Sequence, residues 1–221
     1  MYDGGKNGEG VYHTIINHFP PHKSYIECYL GSGAILRNKK RAPLFNIGIE
    51  INPATLKKFT YPDYAHVVQL DVFDFLHDFR FYEPTTLAYF DPPYPRSSRR
   101  DKKNKLYKYE MTDQQHEKLL KAIKLFTCMV AISSYKNDLY EKHLKGWHSI
   151  EFNAQTRKGT AKEILYMNYP PPLELQDYNH LGKDFTERQR IKRKINRHVQ
   201  RLLSLPPLER AAIIHSIKNK F

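Results

Sequence analysis

Leu87-Ala88-Tyr89-Phe90-Asp91-Pro92-Pro93-Tyr94 decides how this chain is read. Its first four residues are apolar without a break, the pattern of a strand buried on both faces, as central strands of parallel sheets are. Then come a carboxylate, two prolines and an aromatic ring. Consecutive prolines fix φ and remove two N–H donors, so the turn is rigid and offers only carbonyls. In a doubly wound sheet the carboxyl ends of the strands face the ligand crevice, which puts Asp91 in a site. A carboxylate beside a proline carbonyl accepts the two hydrogens of an exocyclic amino group on a flat base. The ring offers a stacking surface worth roughly 1–3 kcal/mol. The bland alternative is an ordinary turn after a strand, and the acid ahead of the triplet argues against it.

Upstream, Tyr25-Ile26-Glu27-Cys28-Tyr29-Leu30 runs into Gly31-Ser32-Gly33. Glycine here lets the backbone turn tightly and approach a ligand closely. Leu36 stands where a nicotinamide-dinucleotide fingerprint would have its third glycine, which argues against that class. The next two strands are also followed by acids, Glu50 and Asp71. Taken singly, either is equally well a surface acid or a helix cap. Jointly, acids after three successive strands suit ribose hydroxyls and favour a nucleoside-bearing cofactor.

The wider pattern agrees with a sheet built through crossovers. Strands are expected at Tyr25 to Leu30, Leu44 to Ile51, His66 to Leu70, Leu87 to Asp91, Cys128 to Ser134, His148 to Asn153 and Lys162 to Tyr169, alternating with helical patterns, which defines an α/β class. A helix is expected over Val11 to Phe19. Another spans Thr112 to Phe126, where Thr112 and Gln115 form a capping-box pattern and Leu119, Leu120, Ile123 and Phe126 recur at helical spacing. Pro170, Pro171 and Pro172 end the last strand and set the expected boundary between residues 1–169 and a tail, 170–221. The tail reads as two short helices, the first basic with Ile191, Ile195, Val199 and Leu202 on one stripe, the second starting after Pro206 and Pro207. His116 and His143 sit on expected helices without ligand-type partners, which reads as structural.

Charge is uneven. Of 221 residues, 36 are Lys or Arg and 23 Asp or Glu, a net +13. Residues 182–221 carry 11 basic and 3 acidic residues, and residues 96–108 carry 7 basic residues against Asp101. The remaining body holds 18 basic and 19 acidic residues and is nearly neutral. One basic loop and one basic tail on a neutral body suit a polyanion, and a solvated face is the plainer alternative. Two cysteines, Cys28 and Cys128, are too few for a structural metal site and suit a reducing compartment. The absence of a long apolar run, with Asp3, Lys6 and Glu9 near the N-terminus, points to a cytosolic protein without a membrane partner.

Gly4-Gly5-Lys6 ahead of a helix, Gly31-Ser32-Gly33, Glu50-Ile51-Asn52, Asp71 and Asp91-Pro92-Pro93-Tyr94 together resemble the Dam-type (D12 class) DNA adenine-N6 methyltransferases, over about residues 2 to 169. The resemblance implies a Rossmann-like S-adenosylmethionine-dependent methyltransferase sheet and methyl transfer to adenine in DNA. It implies that Tyr2, Lys6, Glu27, Gly31, Gly33, Glu50, Asp71 and Asp91 hold the cofactor, that Asp91, Pro92, Pro93 and Tyr94 form the catalytic turn, and that no metal takes part. Cys28 stands where the family usually has proline, and Glu50 where Asp is commoner. Only 38 residues separate Asn52 from Asp91, whereas Dam-like enzymes insert a target-recognition domain there.

Phosphate contacts are therefore expected from Arg96, Arg99, Arg100, Lys102, Lys103 and Lys105 of the basic loop and from Arg190, Arg193 and Arg197 of the tail. Two alternatives stay open. Some rRNA-modifying enzymes also carry an Asp-Pro-Pro-aromatic turn, so an RNA base methyltransferase is one. A nucleic-acid-binding protein that keeps the fold without the activity is the other.

Overall fold

The apolar runs form seven strands: β1 (Ser24–Cys28), β2 (Phe45–Glu50), β3 (His66–Gln69), β4 (Thr86–Phe90), β5 (Met129–Tyr135), β6 (His148–Thr156) and β7 (Gly159–Met167). The computed structural model describes residues 5–8, 10–78, 83–99, 107–156 and 159–220. Around the sheet lie α1 (Val11–Ile16), α2 (Ala34–Asn38), α3 (Pro53–Lys58), α4 (Val72–Asp78), α5 (Asp113–Ile123) and α6 (Asp138–His143). Helix α1 stops at Ile16 rather than running to Phe19, because Pro20 and Pro21 follow and a residue before proline is driven out of helical geometry. Two 3-10-like bonds, His18 N–H to Ile15 and Phe19 N–H to Ile16, close its last turn.

All seven strands belong to one sheet in the order β3-β2-β1-β4-β5-β7-β6. The first five are parallel, and β7 lies antiparallel between β5 and β6. Strand order runs outward from β1 to β3 and then restarts on the other side at β4. This is a doubly wound, Rossmann-like sheet with its switch point between β1 and β4, whose ends meet in register at Cys28 and Phe90. Both of these strands are buried along their whole length, which is why they read as unbroken apolar runs.

Alternation along the strands builds two apolar layers. Ile26, Cys28, Ala88, Phe90, Val130 and Ile132 face one layer, closed by Leu119, Leu120 and Ile123 of α5. Tyr25, Leu87, Tyr89, Ala131, Leu165 and Met167 face the other, closed by Val11, Ile15 and Ile16 of α1. Helix α5 starts with the expected capping box: Thr112 Oγ1 accepts from Gln115 N–H, and the Gln115 side chain accepts from Thr112 N–H.

The chain divides into two units, Met1–Gln176 and Asp177–Phe221. The proline segment 170–172 belongs to the first, so the division falls a few residues beyond the boundary read from the prolines. The second unit contains α7 (Phe185–Leu203) and α8 (Pro207–Lys218). Helix α7 is 19 residues long, more than the short helix expected, and is capped by Asp184, whose side chain accepts from Glu187 N–H. Pro207 occupies a first-turn position of α8, where its missing N–H costs nothing. No residue of either helix is buried, and Ile195 and Val199 of the apolar stripe are 46% and 44% exposed. Among the described residues no helix is long and apolar enough to cross a membrane.

Candidate active site

Four strand ends and two turns enclose one cavity of about 520 Å³, within the roughly 300–1,000 Å³ typical of small-molecule sites. Gly5, Lys6, Glu27, Gly31, Glu50, Asp71, Asp91, Pro92 and Pro93 all line it. Residues from Gly5 to Pro93 thus converge at the switch point. Gly33 belongs to the same turn, beside Ala34 on the wall. Tyr2 lies outside the described residues.

The turn after β1 needs its glycines. Gly31 and Gly33 have φ of 53° and 68°, a left-handed region that disfavours side chains. A Cβ on Gly33 would stand 2.9 Å from the ring of Tyr61. Tyr61 in turn donates its hydroxyl to the Gly31 carbonyl at 2.7 Å, so the turn is pinned from α3's side. Tyr29, on the cavity wall, also has a positive φ, 62°. Strain of this kind in a non-glycine residue clusters at functional sites.

The acids fall into different electrostatic settings. Glu50 accepts the N–H of Gly31 on one oxygen and that of Asn52 on the other, both at 2.8 Å. It straps the glycine turn to the end of β2 and keeps lone pairs facing the cavity; burial nevertheless raises its carboxyl above the ordinary range. Asp71 caps α4 by accepting from Phe73 N–H at 2.7 Å. Glu27 is buried, and burial pushes its carboxyl up to about 8 although the Tyr25 hydroxyl donates to it.

Around Asp91 the charges are dense. Lys6 Nζ lies 2.9 Å from Asp91 Oδ2 and 3.4 Å from Oε2 of Glu163, a residue of β7. The Tyr94 hydroxyl is 3.1 Å from Asp91 Oδ1 and 2.7 Å from Glu163 Oε2. Burial lowers the Lys6 ammonium, but Asp91 and then Glu163 outweigh it and hold it above its usual value. Burial raises Asp91, Lys6 opposes that rise and Glu163 adds to it.

Two expected residues are placed otherwise than the sequence reading had them. Tyr94 is 3% exposed, packs edge-on against Tyr135 and is absent from the cavity wall, where Tyr107 and Tyr109 present rings instead. Arg99 is also buried. Its guanidinium binds both oxygens of Glu110 at 3.0 and 2.7 Å and the carbonyl of Tyr94, and it lies over the Tyr107 ring. This bidentate latch ties residue 110 to the Asp91-Pro92-Pro93-Tyr94 turn and leaves Arg99 little capacity for a phosphate. Arg96 remains half-exposed, 3.7 Å from Glu110. Arg100, Lys102, Lys103 and Lys105 lie outside the described residues. Arg190, Arg193 and Arg197 are exposed on α7 in the second unit, Arg190 beside Glu187 at 3.3 Å.

The sequence reading missed Glu163 and the placement of His116. Glu163 had a signal: strand alternation puts it on the face of Leu165 and Met167, both fully buried, so an acid there needs partners. His116 lies behind the turn, its Nδ1 3.0 Å from the Tyr140 hydroxyl; burial pushes the ring down to about 4, against Asp113 and the carbonyl of Pro93. Only folding brings β7 and α5 to the turn.

No family model matches the sequence, and no curated protein matches it. Among solved structures the chain is similar to an rRNA methylase from Streptococcus thermophilus (14% identity, 71% of this chain and 93% of that one, TM-score 0.44). It is similar to magnesium protoporphyrin IX methyltransferase from Synechocystis with bound SAM (11%, 67% and 71%, 0.43). TrmK of M. capricolum in complex with S-adenosyl-homocysteine is a third (10%, 95% and 95%, 0.42). Each likeness is one of chain trace at low identity.

Proposed function

We propose that this protein is an S-adenosylmethionine-dependent methyltransferase acting on the N6 amino group of adenine in DNA. The observation that carries the reading is the convergence of the glycine turn, Glu50, Asp71 and Asp91-Pro92-Pro93 on one cavity. The residues fit the cofactor. The left-handed glycine turn admits close approach of a ligand, and the Tyr29 hydroxyl, buried with no hydrogen-bond partner among the described residues, stands by the same wall. Glu50 would take the ribose hydroxyls, Asp71 the edge near the adenine, and Glu27 with the glycine turn the amino-acid end. The cofactor supplies an activated methyl group when bound.

The chain's own residues prepare the acceptor. An adenine amino group is a poor nucleophile because its lone pair is delocalised into the ring. Asp91 and the Pro92 carbonyl accept its two hydrogens, favour the pyramidal form and free the lone pair. Lys6 holds Asp91 in place from the far side. Fixing two reactants in attack geometry supplies up to roughly 7–11 kcal/mol. Because Tyr94 is buried, Tyr107 and Tyr109 are better placed to stack on an extruded base, whose removal from a duplex costs about a few kcal/mol.

Incubating the protein with a donor labelled in its methyl group and with DNA or RNA, then analysing nucleosides, tests this. Methylated adenine in DNA is the expected product; methylated adenine only in RNA moves the substrate to RNA. Asp91→Ala should abolish transfer while cofactor affinity, read by calorimetry, changes far less. Transfer by that variant at the wild-type rate would overturn the role given to the turn.

A further inference from the structure

Behind the turn, Lys6, Asp91, Tyr94 and Glu163 form a closed cluster. The Lys6, Tyr94 and Glu163 side chains are almost fully buried, Asp91 is the most open of the four, and Lys6 and Asp91 border the cavity. Its charges do not balance: two carboxylates face one ammonium. The Tyr94 hydroxyl sits between the two acids, 3.1 Å from Asp91 Oδ1 and 2.7 Å from Glu163 Oε2, and has one proton to give. That proton goes to Glu163, the nearer acceptor, and once Asp91 is protonated its O–H can donate to the Tyr94 oxygen, which makes a path along which a proton entering at Asp91 leaves at Glu163.

We infer that Glu163 receives, through the Tyr94 hydroxyl, the proton that the amino nitrogen must lose on methylation. The inference rests on the reading of the turn as the methyl-accepting site. When the nitrogen bonds the methyl carbon, that carbon's bond to the donor breaks and its electron pair stays with the donor. The nitrogen then carries one proton in excess. Asp91 takes it, passes it to the Tyr94 oxygen as the Tyr94 hydroxyl proton moves to Glu163 Oε2, and the proton returns to water after the product leaves. The cluster changes from one net negative charge to neutral, so it favours the positive charge that develops on the nitrogen and has room for a single proton. Asp91 touches the reacting group. Tyr94 and Glu163 act through it and are relay residues.

Other groups that face the cluster are poor substitutes. Tyr89 of β4 is buried and bonded to Ser133 of β5 at 2.8 Å, Tyr135 packs on the Tyr94 ring, and Tyr107 faces Asp91 from the cavity wall. These three are hydroxyls whose burial disfavours the charged form. Glu27 of β1, which also faces Asp91, is raised by burial to about 8, so at neutral pH it already holds a proton and has no room for a second. Lys6 is held in its charged form by the two acids and serves as the fixed counter-charge.

Two measurements on Glu163→Gln, Tyr94→Phe and the double variant test this. The first is infrared titration of the carboxyl band of the ligand-free proteins. Removing the Glu163 charge leaves Lys6 and Asp91 balanced, so Asp91 should take up its proton at lower pH in Glu163→Gln than in the wild type. Identical titrations would overturn the shared cluster. The second is kcat against pH. Each single variant should lose about tenfold, less than the roughly 10²–10⁴ of a complete general base because Asp91 remains. The double variant should lose no more than either, with donor affinity within about twofold of wild type. Wild-type kcat in Glu163→Gln at every pH would overturn the relay even if the titration shifts. A wild type that moves no methyl group to DNA or RNA would instead sink the reading beneath it, and the titration would still decide whether the two acids share one charge.

Discussion

His116 shows at the residue scale how the turn is held and what that costs. Its ring is fully buried, bonded to Tyr140, and kept neutral by burial down to about pH 4. An unfolded chain protonates histidine near 6.5. Between pH 6.5 and 4 the unfolded state therefore binds a proton that the native state refuses, and stability falls as pH drops through that window. The shift corresponds to at most roughly 3–4 kcal/mol. Glu27, raised to about 8, opposes this by binding a proton in the native state over the same range. The check is therefore a comparison: between pH 7 and pH 5 the wild type should fare worse in urea unfolding than His116→Gln, by the histidine's share. An equal loss in the variant would assign the effect elsewhere, for instance to His22, which burial also holds down to about 4.

At the scale of elements, the turn between β1 and α2 carries the sharpest constraint. Gly33→Ala adds a Cβ that meets the Tyr61 ring, at a backbone angle costing roughly 1–2 kcal/mol for a side chain. Cofactor affinity should fall well beyond tenfold, and Tyr61→Ala in the same chain should restore the steric part but not the rest; calorimetric titration of the single and double variants separates the two. The same elements show what could be read from sequence. Each strand announced itself, because burial on both faces leaves an unbroken apolar run and burial on one leaves alternation, and the acids after β2, β3 and β4 could be placed from strand direction alone. Tyr94 and Arg99 could not. Whether an aromatic ring after Asp-Pro-Pro faces a ligand or the interior is decided by Glu163 and Tyr135, which reach it from β7 and β5. Whether an arginine in a basic run meets phosphate or protein is decided by Glu110, eleven residues further on.

For the whole molecule, charge divides the work. The sheet unit holds the acid-lined cavity, and α7 in the second unit exposes Arg190, Lys192, Arg193, Lys194, Arg197 and Arg201. Deleting residues 177–221 should leave cofactor binding intact, weaken binding to a DNA duplex and lower the slope of log affinity against log salt by about 0.9 for each phosphate that is no longer neutralised. An unchanged slope in a filter-binding or anisotropy series would remove the second unit from nucleic-acid binding.

The antiparallel course of β7 has a consequence for how the protein is made. Lys6 emerges from the ribosome 157 residues before its second carboxylate, Glu163. Until then the glycine turn and the Asp91 turn both exist as chain, but the ammonium has one acid instead of two and the Tyr94 hydroxyl lacks its closer partner. A nascent chain halted before β7 would leave the Tyr94 hydroxyl and the Lys6 ammonium with Asp91 but without Glu163 in the place where the interior should close. The cluster beside the cavity is therefore completed from both ends of the sheet unit, and a truncated product would bear the motifs without that cluster.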